Sequence, residues 1–342
     1  MGTKLPVLLA PMAGACPPEL SISVANAGGL GACGVLLMSP EQIVQWCSDF
    51  RASSDGPFQL NNWIPDPAPV RDDCEERRVV DFLSQFSGET QPEVAEITAP
   101  EFNAQCDAML ESKPRVISSI MGIYPDEFIT RMKSQGILWF ATVTTVAEAL
   151  EAQQAGADVI VAQGVEAGGH RGTFRAQDAQ QSLAGLFSLI PAIADSVHLP
   201  IVATGGIADA RGVAAALMLG ASAVQIGTGF LRCPQAAIPS AWADEIGKSA
   251  PDGTMLTRSF TGRLGRSIAT AYTKASAASD APDPRPYPVQ RALTKQMTTA
   301  GRRDNDLDRI QAWAGQSASL ARAVAADKLT RDLWNGALNL LA

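Results

Sequence analysis

The sequence predicts an α/β protein folded as a (β/α)8 barrel, and three observations predict it. Short apolar runs rich in β-branched residues alternate with helical runs, the pattern of a parallel sheet covered by helices. About eight such steps can be read, the number that closes a barrel. The last two strands end in glycine-rich turns, Thr204-Gly205-Gly206-Ile207 and Gln225-Ile226-Gly227-Thr228-Gly229-Phe230. Barrels often bind a phosphate on these two loops.

Taken in order, residues 5–12 form the first strand and end in Ala10-Pro11-Met12-Ala13-Gly14. Residues 18–27 form a helix closed by Gly28 and Gly29, and the apolar run 30–37 follows directly. Gly29-Leu30-Gly31-Ala32-Cys33-Gly34 spells GxGxxG, but the dinucleotide fingerprint needs a strand before it and a helix after it. Here the order is reversed, so the match is rejected. Residues 39–50 form a helix with Ser39 as N-cap, Pro40 at its first position and Glu41 in its first turn.

Residues 58–63 are the third strand, ending near Asn61-Asn62, and the proline-rich stretch 65–69 is loop. Residues 75–86 and 99–113 read as helices joined by the polar stretch 87–96, and 115–121 is the fourth strand. Then come helix 126–134, strand 138–143, helix 146–155, strand 159–162, helix 183–197, strand 201–204, helix 208–219 and strand 224–226.

Composition narrows the function. With 46% apolar and 18% charged residues, 342 residues can bury a large core, as one large domain or two smaller ones. A net charge of -8 disfavours nucleic acid or an anionic membrane as partner, because neither gains from counterion release here. No run of about 18 apolar residues and no signal-type N-terminus is present, so a cytoplasmic location is expected. Six cysteines without CxxC spacing and only two histidines make neither a metal site nor a disulfide framework. Reduced, mostly buried thiols are expected, Cys16 among them although it follows the first strand.

The stretch 159–172, VIVAQGVEAGGHRG, holds the chemistry. A buried strand ends in Gln163, and the chain thins to Gly168 and Gly169 where His170 is presented. Paired glycines let a flat ligand lie against the main chain, within reach of the imidazole. Asn61 either serves a ligand or satisfies backbone at its strand end. Glu166 beside Arg171 is read as a loop salt bridge, and His198 falls on the wrong face of a barrel for catalysis.

These residues carry a family resemblance. Ala10-Pro11-Met12-Ala13-Gly14, Pro57-Phe58-Gln59-Leu60-Asn61, the run from Gln163 to His170, Gly205-Gly206-Ile207 and Gln225-Ile226-Gly227-Thr228 resemble the nitronate monooxygenases, formerly 2-nitropropane dioxygenases. Thr261-Gly262-Arg263, Tyr287-Pro288-Val289-Gln290 and Trp313-Ala314-Gly315-Gln316 extend the similarity over nearly the whole chain. The GxEAGGH element is its specific part.

The resemblance implies a TIM barrel, residues 1–235 completed by 311–342, with a smaller and mainly helical lid over 236–310. It implies non-covalent FMN contacted by Asn61, Gln163, Gly168, Gly169, Gly205, Gly206, Gln225, Ile226, Gly227 and Thr228. Ala10, Pro11, Met12 and Ala13 would lie by the reactive edge of the flavin, His170 would be catalytic, and no metal is expected.

The implied reaction is oxidation of a small alkyl nitronate, such as propionate 3-nitronate, by dioxygen through a flavin semiquinone. The products would be a carbonyl compound and nitrite-level nitrogen. Partners would be that small molecule and dioxygen, in a monomer or homodimer. His170 would either hydrogen-bond the nitro oxygens or take the proton α to the nitro group.

Two departures bear on substrate size: Ser118-Ser119-Ile120-Met121-Gly122, where relatives often carry aromatic residues, and Cys16-Pro17. Two alternatives remain on the same scaffold. One is an FMN reductase taking hydride from NAD(P)H for a quinone or enoyl thioester; the other is a flavin-free lyase or isomerase of a sugar phosphate.

Overall fold

The computed structural model describes residues 1–86 and 101–342. The predicted joining stretch 87–96 and the first two residues of predicted helix 99–113 lie outside them. Eight parallel strands form as expected: β1 (Val7–Leu9), β2 (Gly31–Gly34), β3 (Phe58–Trp63), β4 (Val116–Ile120), β5 (Leu138–Val143) and β6 (Val159–Gln163). After the two-residue β7 (Gly169–His170) come β8 (Ile201–Thr204) and β9 (Ala223–Ile226).

The sheet runs β1-β9-β8-β6-β5-β4-β3-β2. It closes between its ends: Leu8 bridges Leu30, Leu9 N donates to Leu30 O at 2.9 Å, and Leu30 N donates to Val7 O at 3.2 Å.

Helices separate the strands, and of their caps Ser39 was legible in advance. Ser39 caps Pro40–Arg51 in a full capping box with Gln42, Asp72 caps Asp73–Leu83, Thr145 caps Val146–Gln154 and Asp209 caps Ala210–Met218. The helix after β6 is shorter than predicted, Leu186–Ala194. Its start is set from a distance, because the Glu166 carboxylate accepts the Leu186 N–H at 3.0 Å. The GxGxxG match follows helix Pro18–Asn26 and its last four residues are β2 itself, the reverse of the dinucleotide order, as its rejection required.

Strand alternation divides the inside of the barrel from the layer under the helices. Leu8, Leu30, Val116, Phe140, Val159, Val161, Val202 and Ala223 form an apolar plug. Truncating Phe140 to alanine there should cost about 3 to 5 kcal/mol. Towards the strands' C-terminal ends the interior turns polar: Gln59 Nε2 donates to Gln225 Oε1 and to Leu9 O, each at 3.0 Å, and Asn61 Nδ2 donates to Ser118 Oγ at 3.0 Å. A plugged bottom and a polar top leave one end for a ligand.

Between β9 and the last helix the chain leaves the barrel rhythm. The insertion contains helices Ser240–Ile246, Ala271–Ala275 and Val289–Asp304 and two strands, β10 (Thr254–Thr257) and β11 (Gly265–Ile268). The strands add to the helical expectation and have a consequence. β11 pairs antiparallel with β7, Gly265 with His170 and Arg266 with Gly169, so the insertion is laced to the histidine loop. The C-terminal helix Ala326–Leu341 returns to the barrel, packing on Ala210–Met218 and Pro18–Asn26, and Asp327 N donates to Ser23 Oγ at 3.0 Å. Among the described residues no helix is long and apolar enough to cross a membrane.

Candidate active site

A cavity of about 580 Å³ opens at the C-terminal ends of the strands, under the insertion. Its walls include Ala10, Pro11, Met12, Ala13, Asn61, Gln163, Gly168, Gly169, His170, Gly205, Gly206, Gln225, Gly227 and Thr228. Thus all but one of the residues expected to act or to hold a cofactor come together from five strand ends. The exception is Ile226. Its side chain is buried among the helix-facing residues beside Val224 and Phe230, because strand alternation turns it away from the face that Gln225 presents.

One end of the cavity is main chain. Gly205 and Gly206 have φ of 115° and 66°, conformations that side-chain-bearing residues rarely adopt. A Cβ at Gly206 would lie 3.1 Å from Glu166 Cβ. Thr204 Oγ1 donates to Gln225 O at 2.9 Å, tying the two glycine turns together. The carboxylate of Asp209, 27% exposed, sits next to them but accepts from Arg211 N and Gly212 N, so it closes its own helix.

Gly168 has a different reason for being glycine. A Cβ there would meet Gly315 N at 2.5 Å, because the C-terminal segment runs against the loop: Gly315 N donates to Thr228 Oγ1 at 3.0 Å and Gln316 N to Glu166 O at 2.9 Å.

The other end is side chain. His170 sits between two indoles, with ring centres 4.5 Å from Trp63 and 4.8 Å from Trp313, both near edge-on. Its Nε2 is 2.8 Å from Thr261 Oγ1. Burial, then the nearby Arg263 and Arg291 guanidinium groups, lower its pKa from 6.5 to about 3, so the ring is neutral at ordinary pH. Arg263 is itself buried and forms a two-pronged ion pair with Asp66, Nε to Oδ2 at 2.8 Å and Nη2 to Oδ1 at 2.5 Å. That pair joins the proline-rich loop after β3 to the insertion.

Gln163 holds the histidine loop rather than standing free: Nε2 donates to His170 O at 2.9 Å and Oε1 accepts from Gly172 N at 2.7 Å. One of its amide hydrogens is left for a ligand. Asn61 gives both amide hydrogens to Ser118, leaving Oδ1 as an acceptor at the wall.

Glu166 and Arg171 part company, against the salt-bridge reading. Glu166 caps helix Leu186–Ala194, while the Arg171 guanidinium donates to the carbonyls of Gln163, Ser182 and Thr144. Cys16 is buried away from the cavity, its Sγ 3.4 Å from Ala10 O, and five of the six thiols are buried. His198 lies exposed before β8, at the opposite end of the barrel.

Reading the sequence missed part of the wall. Trp63 lies two residues beyond Asn61 on the same strand, so alternation alone would have turned it to the same face. Arg291, Lys295 and Arg302 project from helix Val289–Asp304 at the cavity rim, four and seven residues apart, a helical spacing readable in advance. Among the described residues Arg291 and Lys295 have no ion-pair partner. An uncompensated cationic rim favours an anionic ligand.

A family model described as nitronate monooxygenase matches residues 1–336. A nitronate monooxygenase of Paraburkholderia phytofirmans is 36% identical over 97% of this chain and 92% of its own, and one of Pseudomonas aeruginosa is 34% identical over 97% and 96%. Among solved structures, nitroalkane oxidase from Streptomyces ansochromogenes is similar with a TM-score of 0.90 and 31% identity, covering 99% of this chain and 97% of that one. FabK from Thermotoga maritima follows with a TM-score of 0.77 and 25% identity, over 99% and 94%.

Proposed function

The chain belongs to the nitronate monooxygenase family of flavin-dependent oxidoreductases, and from that premise we propose that it holds FMN and oxidises small anionic alkyl nitronates with dioxygen. The observation that carries this reading is the pairing of a neutral imidazole, clamped between Trp63 and Trp313, with a rim of unpaired cations above it. We divide the chain accordingly into a barrel, 1–235 with 311–342, and a lid, 236–310.

The residues fit FMN. A cavity of about 580 Å³ lies within the usual range for a small-molecule site. The turns at Gly205-Gly206 and Gly227-Thr228 bring main chain to the cavity wall beside the N-terminus of helix Ala210–Met218, a natural place for a phosphate. Asn61, Gln163 and Gln225 supply polar edges between that end and the histidine. When bound, the flavin supplies the electron acceptor for the nitronate, and the protein supplies orientation.

What the chain does follows from its own groups. Arg291 and Lys295 draw an anion under the lid, and half-buried Trp63 and Trp313 keep water from the imidazole. The neutral ring adds no charge to neutralise the nitronate, so it acts through its ring nitrogens, donating to a nitro oxygen or taking a proton. Ile120, at the end of β4, lines the cavity wall there.

The test is an anaerobic spectrum of the purified yellow protein, mixed with propionate 3-nitronate in one sample and NADH or NADPH in another. Rapid bleaching by the nitronate and slow bleaching by either nicotinamide supports the oxygenase. Bleaching by nicotinamide alone replaces it with the reductase.

A further inference from the structure

We propose that Thr261 sets the tautomer of His170, keeping the ring proton on Nε2 so that Nδ1 offers its lone pair to the substrate. The inference rests on the reading of His170 as the residue that meets the nitro compound, and it decides between the two roles that reading leaves open.

The Thr261 hydroxyl has one hydrogen and two close polar neighbours, His170 Nε2 at 2.8 Å and Arg263 O at 3.3 Å. A carbonyl can only accept, so the hydroxyl hydrogen serves Arg263 O, and the oxygen is left to accept from Nε2–H. The reverse arrangement, with Thr261 donating to Nε2, would take that hydrogen from the Arg263 carbonyl in a place where Thr261 and Arg263 are 1% and 2% exposed. One arrangement satisfies both contacts and the other only one.

The surroundings hold this geometry. Thr261 lies in the turn between β10 and β11, and β11 pairs with β7 through Gly265 and His170, so one small sheet and its connecting turn carry both partners of the hydrogen bond. Arg263 is fixed by Asp66 and by donation to Thr173 O at 2.9 Å. Trp63 and Trp313 pack edge-on against the ring from two sides. Among the described residues Nδ1 has no hydrogen-bond partner, and the ring lines the cavity.

With a neutral nitroalkane the step balances. The Cα–H bond breaks, its proton forms a bond to Nδ1, and its electron pair becomes the C=N bond of the nitronate. The imidazolium keeps its Nε2–H on Thr261 and later loses the new proton to water. Thr261 is thus a positioning residue; it touches the imidazole and not the substrate.

The test reads the tautomer directly. The chain has two histidines, so imidazole 15N spectra of the FMN-loaded protein contain two residues, and exposed His198, remote from the cavity, is assigned by His198→Gln. The expected spectrum has His170 protonated at Nε2 with an unprotonated Nδ1. Thr261→Val should move it towards the Nδ1–H form or a mixture, and Thr261→Ser should restore the wild-type pattern.

In parallel, Thr261→Val should lower kcat with neutral nitroalkanes by about 10- to 10²-fold, the usual effect of losing a group that orients a histidine, with Thr261→Ser near wild type. A wild-type spectrum with the proton on Nδ1, or a Thr261→Val spectrum unchanged from wild type, overturns the proposal. A tautomer that shifts as expected while activity stays unchanged supports the proposal for Thr261 and removes His170 from the reaction, so the two failures are distinct.

Discussion

The glycine end and the histidine end of the cavity are built in opposite ways. At the glycine end every feature is local: a positive φ at Gly205 and Gly206, a second glycine turn after β9, and a helix that starts at Asp209. At the histidine end nothing is local. His170 comes from β7, Trp63 from β3, Thr261 and Arg263 from the insertion, Trp313 from the C-terminal segment, and Asp66 from the loop after β3. A main-chain site tolerates neighbours freely but no Cβ. A side-chain site takes its electrostatics from all the segments that meet there, and can be retuned by changing any of them.

The contrast can be broken most sharply at Gly206. Gly206→Asp sets a side chain on a φ of 66° and a carboxylate against Glu166. FMN affinity should fall by at least about 10²-fold, since one or two charge-assisted hydrogen bonds to the phosphate are lost. The measurement is the flavin retained on desalting; a variant that stays yellow would move the phosphate site elsewhere.

His170→Asn attacks the other end and should do the reverse, keeping the flavin while lowering turnover of neutral nitroalkanes by about 10²- to 10⁴-fold. Equal turnover in wild type and variant would remove the imidazole from proton transfer. Next in size is Asp66→Ala. It strands the buried Arg263 charge and should cost about 3 kcal/mol of stability in urea unfolding, whereas Asp209→Ala at the glycine end should lose only a helix cap, about 1 kcal/mol.

Lys295→Met should raise the KM for an anionic nitronate about three- to fivefold, an effect that fades at high salt, because the side chain is exposed. A KM that does not move with either change would show that the rim does not face the substrate.

The smallest effect at neutral pH concerns proton linkage. The unfolded chain binds a proton at His170 near pH 6.5 and the folded one only near pH 3, so between these values the unfolded state holds more protons. Stability is complete above about pH 6.5 and falls as the pH is lowered towards 3. Melting temperatures measured across that window should drop less steeply in His170→Asn than in wild type.

Much of this was legible in advance, and the physical reason differs by element. Strands β5 and β8 begin and end where the apolar runs do, because each run is short, bounded by turn residues and buried on both faces. Helix Pro40–Arg51 was readable from Ser39-Pro40-Glu41 because caps act within one turn. The start of helix Leu186–Ala194 was not, because the carboxylate that accepts its first N–H is 20 residues upstream. Ile226 was assigned to the cofactor with its neighbours in the motif, and only alternation along β9 separates it from them.

The sequence by itself determined the barrel, the glycine turns and the identity of the histidine. Each is encoded by spacing along the chain: apolar period, glycine where a Cβ cannot fit, an ionisable ring at the end of a strand. Only the tertiary structure decided the state of that ring. Its neutrality, its two indole neighbours, its hydroxyl partner and the cations above it depend on segments as far apart as Trp63 and Trp313. Burial and charge act through space, so they are fixed only when the insertion and the C-terminal segment close over the barrel.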